Sequence, residues 1–139
     1  MEPITLHYIV SADDFSRAGE ASGTVKNTLK KLGFAPDIIR RVAIAMYEAE
    51  INMVIHANGG DITVNITPEE ISMEFADEGP GIPNIDLAMS VGWSTASDLV
   101  RVLGFGAGMG LPNIKKHMDH LEINTTVGVG TTVRMKVFI

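Results

Sequence analysis

The chain has 139 residues, 45% of them hydrophobic and 20% charged, which is ordinary for a soluble globular protein and most economically makes one domain over residues 1–139. A net charge of -6 with no Lys/Arg stripe argues against a nucleic-acid footprint, and no apolar run reaches the length of about 20 residues that a bilayer span needs. The absence of cysteine excludes disulfides and thiolate metal sites, and the start, MEPITLHYIV, lacks a basic n-region and carries His7 in its apolar run, so no signal peptide is expected and a cytoplasmic location is.

Ile4 to Val10 alternates as a strand. A helix is predicted from Asp13 to Lys31, with SADD supplying caps and early acids and Gly33 ending it. Pro36 opens a long helix, PDIIRRVAIAMYEAEINMVIHAN, that stops at NGGD. DITVNI, the turn TPEE and ISMEFAD read as a β-hairpin. Residues 84–107 are weakly patterned, with a short helix at their start. A helix from about Met109 to Asp119 tolerates Pro112 in its first turn. Two closing strands, HLEINTTV and TTVRMKVF, are joined through GVG. Three helices and about five strands in this order predict a two-layer α/β sandwich, a mixed and mostly antiparallel sheet covered on one face by the helices.

Four constellations could carry chemistry. On the long helix Glu48, Asn52 and His56 are spaced by four, about 6 Å apart along the axis, and Glu48 and Asn52 emerge from a stripe of Ile44, Ile51 and Ile55. An amide oxygen is a hard ligand suited to Mg²⁺, and a carboxylate one turn away can accept a proton. The same spacing equally suits a surface glutamate and a buried asparagine bonded to a loop. Glu50 points to the other side and is expected to be solvated.

In FADEGPGIPN, Asp77 shares parity with Ile71, Met73 and Phe75, so a carboxylate stands on an apolar strand face, where it needs a partner. Gly79 and Gly81 can take positive φ, in a ligand loop or in a plain tight turn capped by Asp77. In GFGAGMGLPNIKK, Gly104, Gly106, Gly108 and Gly110 alternate before a helix, offering N–H groups to phosphate or forming a linker. In GVGTTVRM, Thr131 shares parity with Val133, Met135 and Val137, so its hydroxyl points inward. The Met residues at 46, 53, 73, 118 and 135 read as core fillers; Lys115 and Lys116 could reach a phosphate from the helix start, with a solvated helix face expected for at least one of them.

Taken in order, E-x-x-x-N-x-x-x-H, D-x-G-x-G-I, G-x-G-x-G-x-G-L and G-T, with a loose segment before the glycines, resemble the GHKL ATPase superfamily with its Bergerat ATP-binding fold, from about Pro36 to the C-terminus. The resemblance implies ATP and Mg²⁺, with Glu48 as catalytic base and Asn52 as metal ligand. It further implies Asp77 on the exocyclic amino group of adenine, with Gly79, Gly81 and Ile82 in the adenine-side loop. Residues 84–107 become the flexible ATP lid, and Gly106, Gly108, Met109, Gly110 and Leu111 the phosphate cradle. Thr131 supports adenine through a hydrogen bond or a water.

At 139 residues the chain is expected to lack the second domain of gyrase, chaperone and mismatch-repair ATPases, and no phosphoacceptor histidine stands in a suitable place. LAMSVGWSTA and GMGLPNIKKHMD are similar to the switch-kinase branch of the small bacterial anti-sigma-factor and switch-protein serine kinases. That resemblance implies a serine/threonine kinase of a partner-switching circuit, with a serine of a STAS-domain antagonist as phosphoacceptor. The alternative is a non-catalytic, ATP-gated anti-sigma or protein-binding module, in which a sigma factor is the partner; homodimerisation is left open.

Overall fold

The computed structural model of the chain describes residues 2–11, 17, 19–56, 59–79 and 110–139, with the backbone alone at 55 and 56. Strand β1 (Ile4–Ser11) is followed by helices α1 (Glu20–Lys31) and α2 (Pro36–His56), strands β2 (Gly59–Ile66) and β3 (Glu70–Ala76), helix α3 (Gly110–His117), and strands β4 (His120–Thr126) and β5 (Gly130–Phe138). The five strands form one sheet in the order β1-β2-β3-β5-β4. Every pairing is antiparallel, so none of the parallel pairs allowed for by a mixed sheet occurs among the described strands.

The register stacks the inward residues into rows. Tyr8, Ile62, Phe75, Val133 and Ile123 form one row across all five strands, and Leu6, Val64, Met73, Met135 and Leu121 the next. The helices lie on this face; Val25, Leu29, Val42, Ala45 and Met46 join the strand residues in one buried cluster. The expected core methionines are all buried. The opposite face is polar: Arg134 reaches Glu74 at 3.4 Å and Glu122 at 3.9 Å. Fully burying a large aliphatic or aromatic side chain contributes about 1.5–3 kcal/mol, which is why the alternating strands commit their apolar parity to the helices.

Helix α1 begins at Glu20 rather than Asp13. Gly19, at φ 88°, is left-handed and would interrupt a continuous helix there; the residues of SADD from Ala12 on lie outside the described residues. The helix ends as expected at Gly33, whose N–H donates to Lys30 O while Phe34 N–H donates to Leu29 O, the two bonds of a Schellman motif. Helix α3 runs antiparallel along α2. Its buried Leu111 and Ile114 face the core, and Arg41 of α2 holds its far end.

Candidate functional site

The apolar rows stop at the end of the sheet where β3 leaves and β5 enters. There the inward parity passes from Phe75 to Asp77 on one strand and from Val133 to Thr131 on the next. Asp77 N–H donates to Thr131 O at 2.9 Å, and Thr131 N–H donates back to Asp77 Oδ1 at 3.2 Å. Gly79 N–H donates to the same Oδ1 at 2.8 Å. Both N–H bonds to the carboxylate fall on Oδ1. Burial pushes the Asp77 carboxyl above the ordinary aspartate range, opposed by the N–H bonds from Gly79 and Thr131.

Thr131 is 7% exposed, and its hydroxyl lies 2.9 Å from that of Thr125 on β4. The pair of hydroxyls extends the polar end of the sheet past Asp77. Gly130, beside Thr131, has φ 151°, and a Cβ there would collide with Asp77 O and sit 3.0 Å from Glu78 Cα. The glycine of the Gly-Thr pair is what allows β5 to enter against the Asp77 loop.

On α2, Glu48 and Asn52 are both half-buried. Glu48 Oε1 accepts a hydrogen bond from Asn113 Nδ2 of α3 at 3.3 Å. The side chain of His56 lies outside the described residues. Gly60 of β2 lets the strand pass close to the end of β3, since a Cβ there would collide with Ala76 O and also meet Met53 Cε, next to Asn52, at 2.5 Å. Among the described residues no three His, Asp or Glu side chains converge on one point. A metal held near Asn52 would therefore draw most of its ligands from phosphate and water, the habit of Mg²⁺.

Helix α3 begins at Gly110, so the last glycine of the alternating run is its first residue, and Leu111 behind it is buried. Its first turn carries no acid, whereas α1 has Glu20 and α2 has Asp37 there. Lys115 and Lys116 are exposed, as a solvated face requires. Gly81, Ile82, Gly106, Gly108, Met109 and the whole of 84–107 lie outside the described residues.

Glu50 is not solvated; it is 2% exposed. Its carboxylate accepts from the N–H groups of Gly19 at 3.0 Å, Ala21 at 3.3 Å and Ser22 at 3.0 Å. Helix α1 has no side-chain cap of its own, and a glutamate from α2 fills the positive end of its dipole. Helical spacing alone places Glu50 opposite Glu48, but not under a second helix that lands on it.

A cleft of about 460 Å³ lies between β1 and α1, lined by His7, Tyr8, Arg17, Thr24, Glu50 and Val54 among others. None of the residues that the sequence singles out for nucleotide lines it. Its anion position, the α1 N-terminus, is already taken by Glu50.

Asn113 was missed by sequence reasoning, as was the close approach that requires the glycine of the G-T pair. Asn113 carries no local signal, since its meeting with Glu48 spans 65 residues of chain. The approach at Gly130 could have been found, because a glycine at the head of a strand marks a close backbone approach.

A family model described as the histidine kinase-like ATPase domain matches residues 12–137. The chain is 31% identical over 113 residues to the serine/threonine-protein kinase RsbT of Bacillus subtilis, covering 78% of this chain and 79% of that protein. It is 33% identical over 118 residues to an anti-sigma F factor of Clostridium acetobutylicum (81% and 79% covered). A third relative, the anti-sigma F factor of Caldanaerobacter subterraneus, is 37% identical over 106 residues (73% and 71% covered). Among solved structures, the mycobacterial sensor histidine kinase MprB superposes with a TM-score of 0.54 at 16% identity, covering 99% of this chain and 96% of that chain, a likeness of fold.

Proposed function

Because the chain belongs to the histidine kinase-like ATPase domain family, we propose that it is a serine/threonine protein kinase of a partner-switching circuit, acting as a single domain. It binds Mg-ATP and transfers the γ-phosphoryl group to a serine of a STAS-domain antagonist. The relative named as a serine/threonine-protein kinase supports the reaction. The relatives named anti-sigma F factor favour a sigma factor as a second partner. Among the described residues no helix is long and apolar enough to cross a membrane. The cytoplasm, where ATP is abundant, is the proposed location.

The single observation that carries the reading is the carboxylate at the apolar end of the sheet. Asp77 is held through Oδ1 by two backbone N–H groups, and an adenine amino group is the neutral donor that suits Oδ2. Thr131 and Gly79 complete that edge, with Gly81 and Ile82 following in the chain. Asn52 would offer its amide oxygen to Mg²⁺, whose charge would neutralise that of the phosphates. Gly106, Gly108 and Met109 precede, and Gly110 and Leu111 open, the acid-free first turn of α3, an N-terminus suited to phosphate.

Glu48 takes the proton of the attacking serine hydroxyl. The serine oxygen forms the new bond to the γ-phosphorus as the bond to the β–γ bridging oxygen breaks and ADP leaves. The test is transfer from γ-labelled ATP to a purified STAS-domain protein. Glu48→Gln is expected to abolish transfer and to leave ATP affinity within a few-fold of wild type. Transfer at the wild-type rate by Glu48→Gln removes the base assignment, and no transfer by the wild type removes the kinase reading.

A further inference from the structure

Glu48 is a long, half-buried side chain, and its direction is set by something outside its own helix. Asn113 Nδ2 donates to its Oε1 at 3.3 Å, across from α3. We infer that Asn113 is a positioning residue for Glu48, holding one carboxylate oxygen so that the other is presented to the attacking hydroxyl; this rests on the kinase reading above.

Three observations carry it. First, the helix that bears Asn113 is fixed on α2 independently of the bond in question. Leu111, Ile114 and Met118 are buried in the core cluster. At the far end Arg41 Nε donates to His117 O at 2.8 Å, and Arg41 lies 3.0 Å from Asp119 Oδ1. Glu48 and Arg41 stand two turns apart on α2, so α3 is gripped near both of its ends.

Second, the donor suits the task. A carboxamide N–H binds a carboxylate and does not itself titrate, so it orients the base without competing for the proton. A lysine there would hold the carboxylate more tightly but would also neutralise it. Third, a free glutamate spreads over many rotamers, and ordering such a side chain costs up to about 2 kcal/mol. A fixed donor offsets part of that cost before substrate arrives, which is pre-organisation of the reacting group. A length of 3.3 Å is long for this bond, as is common before a reactant closes the site.

Asn113 touches neither nucleotide nor acceptor in this account; it acts through Glu48. Its removal should lower the rate of the chemical step and spare ATP binding. A misplaced base costs on the order of tenfold to a hundredfold in rate.

The test uses the full chain and Mg-ATP, with water as the acceptor, so that no partner protein is needed. Single-turnover phosphate release is measured with ATP affinity by calorimetry and the thermal midpoint of each variant. Asn113→Ala should release phosphate roughly tenfold more slowly, with ATP affinity within twofold of wild type. Asn113→Asp, which keeps the shape but opposes two carboxylates, should be slower still, and Asn113→Gln, which keeps the donor, should recover part of the rate. In the nucleotide-free protein the Asn113 side-chain amide resonance should move on Glu48→Gln, a readout that does not depend on turnover. Wild-type phosphate release by Asn113→Ala, or an Asn113 amide indifferent to Glu48→Gln, overturns the positioning role and leaves the kinase reading standing. A wild type that binds Mg-ATP yet neither releases nor transfers phosphate overturns both.

Discussion

Asp77 and Thr131 grip each other twice: the N–H of Asp77 donates to Thr131 O at 2.9 Å, and the N–H of Thr131 donates to Asp77 Oδ1 at 3.2 Å. The carboxylate is thus fixed by backbone, on a side of the strand that is otherwise apolar. Desolvation favours its neutral form, and this sets the first prediction. An adenine amino group needs the ionised acceptor, so ATP affinity should fall on acidification while the pH is still above the ordinary aspartate range. Stability has the opposite sign. A carboxyl whose folded-state pKa is raised opposes folding at neutral pH, and the penalty is relieved as pH drops through the folded value toward the unfolded one of about 3.9. Asp77→Asn should therefore not lower the thermal midpoint of the nucleotide-free protein at pH 7. Calorimetric affinity from pH 4.5 to 8, as a design range of about that width, checks the first half, and calorimetric melting the second.

Gly130→Ala should damage the site without touching a ligand. The added methyl meets Asp77 O and Glu78 Cα, and the φ of 151° is costly for alanine. A strained backbone position costs on the order of 1–3 kcal/mol, a fall of several degrees in midpoint. Gly23→Ala is the control, since a Cβ at Gly23 meets nothing within 4 Å and alanine is the better helix former. That variant should melt at or above wild type.

Glu50→Gln should be strongly destabilising for so conservative a change. The carboxylate serves three N–H groups, and an amide turns one of its two oxygens into a donor facing other donors. Leaving such buried groups unpaired costs about 1–3 kcal/mol, or on the order of 5 °C in midpoint. Hydrogen exchange should show the first turn of α1 opening before the sheet does.

Asp119 ties three elements together. The N–H of Phe138 donates to its Oδ2 at 2.7 Å, and Arg41 approaches its Oδ1 at 3.0 Å. The Phe138 bond first, and then Arg41, holds its carboxyl below the usual aspartate range. A lowered folded-state pKa contributes stability that is present above the unfolded value and lost as pH falls through the folded one. Asp119→Asn should melt below wild type at pH 7, and the gap should close in acid, below about pH 4. Thermal melts of both proteins across that range decide it.

Much of this was legible in the residues. Period-two alternation located the strands because each has one wet face, and Gly33 and Pro36 marked a helix stop and start through backbone sterics alone. Asp77 could be singled out because a carboxylate on apolar parity is expensive. What could not be read is whatever depends on two distant segments meeting. Glu50 is buried because α1 lands on it, and Asn113 finds Glu48 only once α3 lies along α2. The start of α1 was misplaced for a related reason: the group that caps Glu20–Lys31 comes from another helix.

The most direct test of the nucleotide site is calorimetric titration of ATP into the protein, with and without Mg²⁺, beside Asp77→Asn and Asn52→Ala. Mg²⁺-dependent binding is expected, falling by on the order of a hundredfold in Asp77→Asn, where a half-buried donor faces the adenine amino group. In Asn52→Ala the gain in affinity from Mg²⁺ should be lost, with the Mg²⁺-free affinity kept. Wild-type affinity in Asp77→Asn, or no ATP binding by the wild type, would contradict it.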